Sequence, residues 1–468
     1  MLEKWLYQGV VQDAYGEFMI EEKPSRPYFD DSYWEKRYVQ RDAHVPVFLD
    51  REVAHKVMTT GKYLTVLREC GEAVELDARK LAYSTNGRVY AQITDEVYTA
   101  ASARVLALLT EQKNLMERLR SVKRYFLTDR GDWLVQFLDT AHEELSKEVR
   151  FVNKGRLESL LALSVVTSVS STDEFRDDLT CQLMPTSALD EVLKVISIMD
   201  PNRKDAVEDA ASLTGFEAFA IAYRVEWPLN IVLSNKARTK YRWLFRHLFQ
   251  YKLAERELSG AWANHQGSKS FMHHAAARNA FALDIALRAR MLHFVQSVQH
   301  YLVMDVIENC WHTFQENMRS VKTVEEVLTM HDKFLDSCIT LFVMNDPALL
   351  KIMARTTSTC MKFARYIRSK TAALALQDED RGTVEGVPAL AAQRRTRARY
   401  AQLASEIATG ARHRETVAKY EQDFDGKVFC LLEALRTYGR SGGDPHLLNL
   451  CAQLDFNKYY SDKEREQA

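Results

Sequence analysis

Apolar residues recur at spacings of three and four from Leu287 to Phe314. Leu287, Met291, Phe294, Val295, Val298, Tyr301, Leu302 and Val306 fall on one broad stripe of an α-helix, while Arg290, His293, Ser297 and His300 lie mainly on the other side. No Gly or Pro interrupts the stretch, so the helix runs about 42 Å at 1.5 Å per residue. It is expected to be a central strut with other helices packed along it.

Upstream, Val97, Ala101, Val105, Leu108, Leu115 and Leu119 predict a helix ending near Phe126. A turn at Gly131-Asp132 then leads to a second helix with Leu134, Phe137, Leu138, Ala141 and Leu145 on its apolar face. Leu157 to Val165 and Leu189 to Ile196 continue the series. Phe219 to Trp227 alternates apolar and polar positions and predicts a strand ending at Pro228, with Leu179 to Leu183 as its partner in a two-stranded ribbon. Helices are expected over Asn230 to Trp262, Val324 to Leu341 and Ala348 to Arg368, the last two separated by Asn345-Asp346-Pro347. Residues 372–419 read as a low-order insertion of small and charged residues, and Tyr420 to Tyr460 returns to apolar periodicity. Ahead of all this, residues 1–86 combine a helix-like start, a turn-rich EEKPSRP loop (Glu21 to Pro27) and a helix over Val53 to Leu67 that stops near Cys70-Gly71. The expected fold class is all-α, mainly helical, with elongated stacked bundles and one small two-stranded β ribbon.

Composition supports the helices: 17 Gly and 9 Pro in 468 residues leave few breakers. A formal charge of -1 removes any global electrostatic case for nucleic acid or an acidic membrane. Seven scattered cysteines without a CxxC pair, no apolar leader and no long apolar run predict a soluble, intracellular protein with reduced thiols and no membrane insertion.

Candidate chemistry is sparse. Asp30-Asp31 and Asp177-Asp178 do not complete a DDxxD magnesium motif, and His273-His274 lacks HExxH. His293 and His300 share a face but stand about 10 Å apart along a helix, too far to bind one metal together. No GxGxxG, GxxxxGK[ST] or GxSxG occurs. No catalytic residue, metal or cofactor is expected. Arg394, Arg395, Arg397 and Arg399 read as a solvated basic patch. Arg238, Arg242 and Arg246, each four apart, line one helix face on which an acidic protein partner could dock.

Longer strings carry a resemblance. WLYQGVVQDAYGEFMIEE (Trp5 to Glu22), GKYLTVLRECG (Gly61 to Gly71), LRSVKRYFLTDRGDWLVQFLDTAHEEL (Leu119 to Leu145), EAFAIAYRVEWPLNIVLS (Glu217 to Ser234), the strut, and HLLNLCAQLDFNKYY (His446 to Tyr460) resemble the γ-tubulin complex protein family, in the family's order and over nearly the whole chain. The first two are most similar to the component-two branch. The resemblance implies a GRIP2-type architecture: residues 1–89 as the remnant of a GRIP1 domain that packs beside neighbouring subunits, and 90–468 as a γ-tubulin-binding GRIP2 domain. Met1 would fall well inside GRIP1, so an N-terminally truncated chain is expected. The implied partners are γ-tubulin, γ-tubulin complex component three and other GRIP-domain subunits, with no nucleic acid. The implied role is microtubule nucleation at a centrosome or spindle pole, and the implied γ-tubulin contacts are Lys123, Arg124, Arg130, Asp132, Arg238, Arg242 and Arg246. The alternatives are another helical tethering subunit and a helical metal-dependent enzyme.

Overall fold

The computed structural model describes residues 1–23, 33–72, 87–199, 213–267, 282–379, 411–440 and 446–467. Asp30-Asp31, His273-His274, the arginine run at 394–399 and residues 380–410 of the predicted insertion lie outside these. The described ends of that insertion are helical. The chain is mainly α-helical, with two small antiparallel ribbons among the described residues.

Helix α1 (Leu2–Gln8) stops at Gly9, whose φ of 62° suits a residue without Cβ. Trp5 then lies directly over Gly61 of α2 (Arg51–Glu69). A Cβ at Gly61 would fall 1.9 Å from the indole ring, and the indole N–H donates to Val57 O at 2.8 Å. Ribbon β1 (Ile20–Glu22) with β2 (Tyr38–Gln40), not anticipated from periodicity, helps close this small N-terminal core. Helix α2 serves two cores: Ala54 and Val57 face the small one, whereas Tyr63, Leu64, Val66 and Leu67 enter the main one. It packs along α3 (Gly87–Ala107).

The helix expected from Val97 to Phe126 is broken. After α3 the chain makes a π-helical turn at Leu108–Gln112, Asn114 adopts a left-handed φ of 49°, and α4 (Leu115–Phe126) starts afresh. Asparagine tolerates that conformation better than most residues, so it can redirect the chain without a Gly. Helices α5 (Asp132–Leu145) and α6 (Lys154–Thr167) follow and pack on each other. The Asn153 side chain caps α6 by accepting from the Arg156 N–H.

The predicted ribbon forms between β3 (Leu179–Leu183) and β4 (Phe219–Tyr223), with Leu179 opposite Tyr223 and Cys181 opposite Ile221. β4 ends at Tyr223 rather than Trp227. Ala220 is as buried as Phe219 and Ile221, so the alternation in the sequence does not mark a solvent face there.

Beyond the ribbon, α7 (Ala188–Met199) and α8 (Asn235–Gly267) meet α9 (Ala282–His300), α10 (Asn309–Met318), α11 (Val324–Leu341), α12 (Pro347–Glu379), α13 (Ala411–Arg440), α14 (His446–Leu454) and α15 (Tyr459–Gln467). All eight residues of the predicted strut stripe are buried. The strut is not uniformly α-helical, however, because Tyr301–Glu308 is π-helical between α9 and α10. Tyr301 with Val306 and Leu302 with Ile307 are five apart, the spacing that an i to i+5 helix stacks on one face, and all four are buried. Nor is the strut the sole centre: α8 packs against α4, α5, α7, β4, α9, α11 and α12.

Polar contacts fix the strut's ends. The Asp284 carboxylate meets His413 Nε2 at 3.0 Å, and His413 Nδ1 meets the Tyr366 hydroxyl at 2.8 Å, tying α9, α13 and α12 together. Arg290 donates to Asp425 at 3.0 Å and to the Tyr459 hydroxyl at 2.8 Å. All seven cysteines are free thiols. Cys310 and Cys338, far apart in sequence, hydrogen-bond between α10 and α11, and this contact together with burial pushes the Cys338 thiol up. Among the described residues no helix is long and apolar enough to cross a membrane.

Two outcomes test this packing. Phe294, buried in the strut with its ring 5.8 Å from that of Phe424, should cost about 3 to 5 kcal/mol on truncation to Ala, read as a lower urea midpoint. Separately, burial holds the imidazoles of His247 and His331 down at about 4 against an ordinary 6.5. The unfolded chain therefore takes up protons that the folded chain refuses. Stability is full above pH 6.5 and falls as the pH drops towards 4, by about 2 kcal/mol per histidine between pH 7 and pH 5. His331→Gln should remove roughly half of that slope in urea unfolding.

Candidate protein-interaction surface

The surface is built where α4 ends. Its last turn carries Lys123 and Arg124, the loop to α5 carries Asp129 and Arg130, and Asp132 opens α5. Lys123 is buried. Its Nζ lies 3.0 Å from Asp129 and 2.7 Å from Glu308, and 5.4 Å from the centre of the Trp311 ring. One ammonium group thus ties the loop to the end of the strut's π-helical segment. Arg124 reaches Asp173 at 3.3 Å, a carboxylate that also accepts from the Ser121 hydroxyl at 2.7 Å. Asp132, in the first turn of α5, accepts from the Val169 N–H at 2.7 Å. Arg130 is exposed.

The π-helical segment turns Met304 outward, 54% exposed. Its neighbour Asp305 accepts from the Gln453 side chain at 2.9 Å, linking the strut to α14. Three residues beyond Gln453, Phe456 is 84% exposed. Loop, π-helical segment and the end of α14 are therefore held to one another by Lys123, Glu308, Asp305 and Gln453. Arg130, Met304 and Phe456 project from this framework. Sequence reasoning missed Met304 and Phe456, although a signal was available: each is a large apolar residue off the buried stripe, at 304 beside 301, 302 and 306, and at 456 beside 447, 450 and 454.

The basic face of α8 is a correction. Arg246 is 1% exposed. Its guanidinium donates to Glu191 at 2.5 Å and to the carbonyls of Thr186 at 2.6 Å and Glu217 at 2.7 Å. Arg242 donates to the other Glu191 oxygen at 3.0 Å, where the Trp243 indole also donates at 2.9 Å. Burial by itself would raise the Glu191 carboxyl, but the Trp243 N–H and the two guanidinium groups outweigh it and hold the carboxyl below the usual range. Arg238 is half-buried. Helical spacing put these arginines on one face; what covers Arg242 and Arg246 is α7 with its Glu191, brought there by the tertiary fold. Lys123 is corrected in the same way, since its charge is spent inside the protein. Arg130 and Asp132 remain at the surface.

Among the described residues no group of three or more His, Cys, Asp or Glu is arranged to hold a metal ion. His293 and His300 are both exposed.

Removing one member of the Arg246–Glu191 pair leaves a buried charge without its partner. Arg246→Ala should cost about 3 to 5 kcal/mol, measurable by thermal or urea unfolding, whereas Arg130→Ala should leave stability within about 0.5 kcal/mol.

Comparison with known proteins finds related sequences along almost the whole chain. Residues 115–460 match the family described as gamma tubulin complex component C-terminal, and residues 1–112 match gamma tubulin complex component N-terminal. Gamma-tubulin complex component 2 of Mus musculus is 35% identical over 487 aligned residues, which take in 99% of this chain and 53% of the relative. Gamma-tubulin complex component 2 of Arabidopsis thaliana is 38% identical over 374 residues, 78% of this chain and 54% of the relative. Spindle pole body component alp4 of Schizosaccharomyces pombe is 29% identical over 439 residues, 80% and 55% respectively. The chain spans about half the length of these relatives. With the two family matches lying end to end over almost all of its residues, the chain belongs to the γ-tubulin complex component family.

Proposed function

We propose that this chain is a γ-tubulin-binding scaffold subunit of a γ-tubulin complex, supporting microtubule nucleation at a cytoplasmic microtubule-organising centre, and that it catalyses no reaction. The consecutive family matches over 1–112 and 115–460 carry this reading. In it, residues 1–89 belong to a GRIP1-type domain that packs beside component three and other GRIP-domain subunits, and residues 90–468 form the GRIP2-type domain that holds γ-tubulin. Such a subunit works by geometry. Presenting γ-tubulin molecules at fixed spacing makes their lateral association effectively intramolecular, which removes much of the entropic cost of the first contacts.

Within this reading the γ-tubulin contact is assigned to the framework around the loop after α4. Arg130, Asp132, Met304 and Phe456 make the contact, while Lys123 and Arg124 position it from within; Arg242 and Arg246 instead fix α7 to α8. An exposed Met and Phe beside charged groups match the usual composition of an interface, apolar anchors inside a polar rim. The rigidity of the π-helical segment, locked by Glu308 and Asp305, limits the ordering that binding would require.

The full chain should retain γ-tubulin in a pull-down at physiological salt, and loss of all retention would overturn the function. The double variant Arg130→Glu, Met304→Asp should weaken retention at least tenfold with an unchanged thermal midpoint, since both side chains lie outside the core. Full retention by that variant would move the contact elsewhere while leaving the function standing.

A further inference from the structure

We propose that the outer face of α12 is a docking surface for an acidic peptide segment of a partner protein. This goes beyond the scaffold role and does not rest on it. Between Pro347 and Gln377 the helix carries Lys351, Arg355, Lys362, Arg365, Arg368 and Lys370 and not one Asp or Glu, in a chain with 63 cations against 64 anions. Lys351, Arg355, Lys362 and Arg365 stand four, seven and three residues apart, spacings that return to one side of a helix. Like charges one turn apart repel and weaken the helix that bears them. Such a stripe is a cost to the isolated fold that an acidic partner would offset.

The tertiary surroundings leave the charge uncancelled. Arg355, Lys362 and Arg365 are exposed. Among the described residues no carboxylate pairs with Arg355 or Arg365. Arg368 differs, because Glu257 meets it at 2.6 Å. On the neighbouring α13, Asp423 is held by Lys427 at 2.6 Å and by the Thr359 hydroxyl at 3.0 Å. Lys362 acts on the same carboxylate at longer range, so two ammonium groups share one acid. On the α7 side, Glu191 is already matched by Arg242 and Arg246.

The form of the stripe selects the partner. Arg355 and Arg365 stand about 15 Å apart along the helix at 1.5 Å per residue, a length that about five residues of extended chain cover. Both guanidinium forks suit carboxylates, which they hold through paired hydrogen bonds. Nucleic-acid bases find no stacking platform: Phe363 is buried, and Tyr366 is half-buried with its ring stacked on His413 and its hydroxyl 2.8 Å from Nδ1. A membrane finds no apolar anchor, since none of the exposed large apolar side chains among the described residues lies on α12. Tyr366 also belongs to the cluster at the first end of the strut, whereas the surface assigned to γ-tubulin is built at the other end. The two surfaces are separate.

The test is fluorescence anisotropy of a labelled peptide of eight glutamates with the full chain. The peptide should bind saturably and weaken as salt is raised, because exposed charges are screened. The triple variant Arg355→Glu, Lys362→Glu, Arg365→Glu should lose roughly tenfold in affinity, the scale of three exposed ion pairs, with γ-tubulin retention unchanged. Reversal of Arg51, Arg150 and Lys333, exposed cations on other elements, changes the net charge equally and should leave the affinity within about twofold. If the first variant does not fold, Arg355→Gln, Lys362→Gln, Arg365→Gln gives the same comparison. Absence of saturable binding would overturn the proposal, as would an equal loss in the control variant or a parallel loss of γ-tubulin retention by a folded stripe variant. Tighter binding of an oligothymidylate of equal charge, or of phosphatidylserine vesicles, that is lost in the stripe variant would overturn it in favour of nucleic acid or membrane.

Discussion

The burial of Arg246 is the constraint on which the rest of the helical body depends. A guanidinium taken out of water is tolerable only if a carboxylate and further acceptors surround it. Glu191 on α7 and the carbonyls of Thr186 and Glu217 supply them. Those partners come from the chain on either side of residues 200–212 and from the turn just before β4. Satisfying one side chain therefore fixes α7, the ribbon and α8 relative to one another. Once α8 is placed, its remaining faces receive α4, α5, α9, α11 and α12. The aromatic sequence Phe219, Phe245 and Phe249 fills the space between ribbon and helix, with ring centres 5.2 to 6.2 Å apart.

Around α8 the strut plays a different part. Its stripe is buried along the whole length, and its two ends are tied by charged contacts rather than by apolar packing alone. At the first end Asp284, His413 and Tyr366 join three helices on either side of residues 380–410. At the other, the π-helical segment is bound to the α4–α5 loop through Lys123 and to α14 through Gln453. A π-helical turn inserts one residue into the ladder, and the register shift presents Met304 to solvent while Ile307 turns inward. The same local irregularity that keeps the core continuous thus exposes the apolar residue assigned to the contact surface.

The N-terminal part depends on a closer approach. Trp5 lies against the backbone at Gly61, where no other residue type leaves room for the ring. Helix α2 consequently has both faces occupied, one by the small core and one by the main core.

Periodicity alone was enough for the helical class, the buried stripe of the strut, the ribbon of Leu179–Leu183 with Phe219–Tyr223, and the alignment of Arg238, Arg242 and Arg246 on one face, because each follows from local spacing. Longer strings were enough for the family. Local spacing does not say what stands opposite a face. The break at Asn114, the π-helical turn and the ribbon β1–β2 arise where distant segments must be accommodated, and the sequence pattern there is compatible with plain helix or loop. Which cations are internal was likewise decided by tertiary contact: Lys123 and Arg246 look like any exposed basic residue until Glu308 and Glu191 are brought beside them. Each of these two charges is held inside with a partner at long sequence separation that offsets its lost hydration, and that partner stands beside it only in the folded chain.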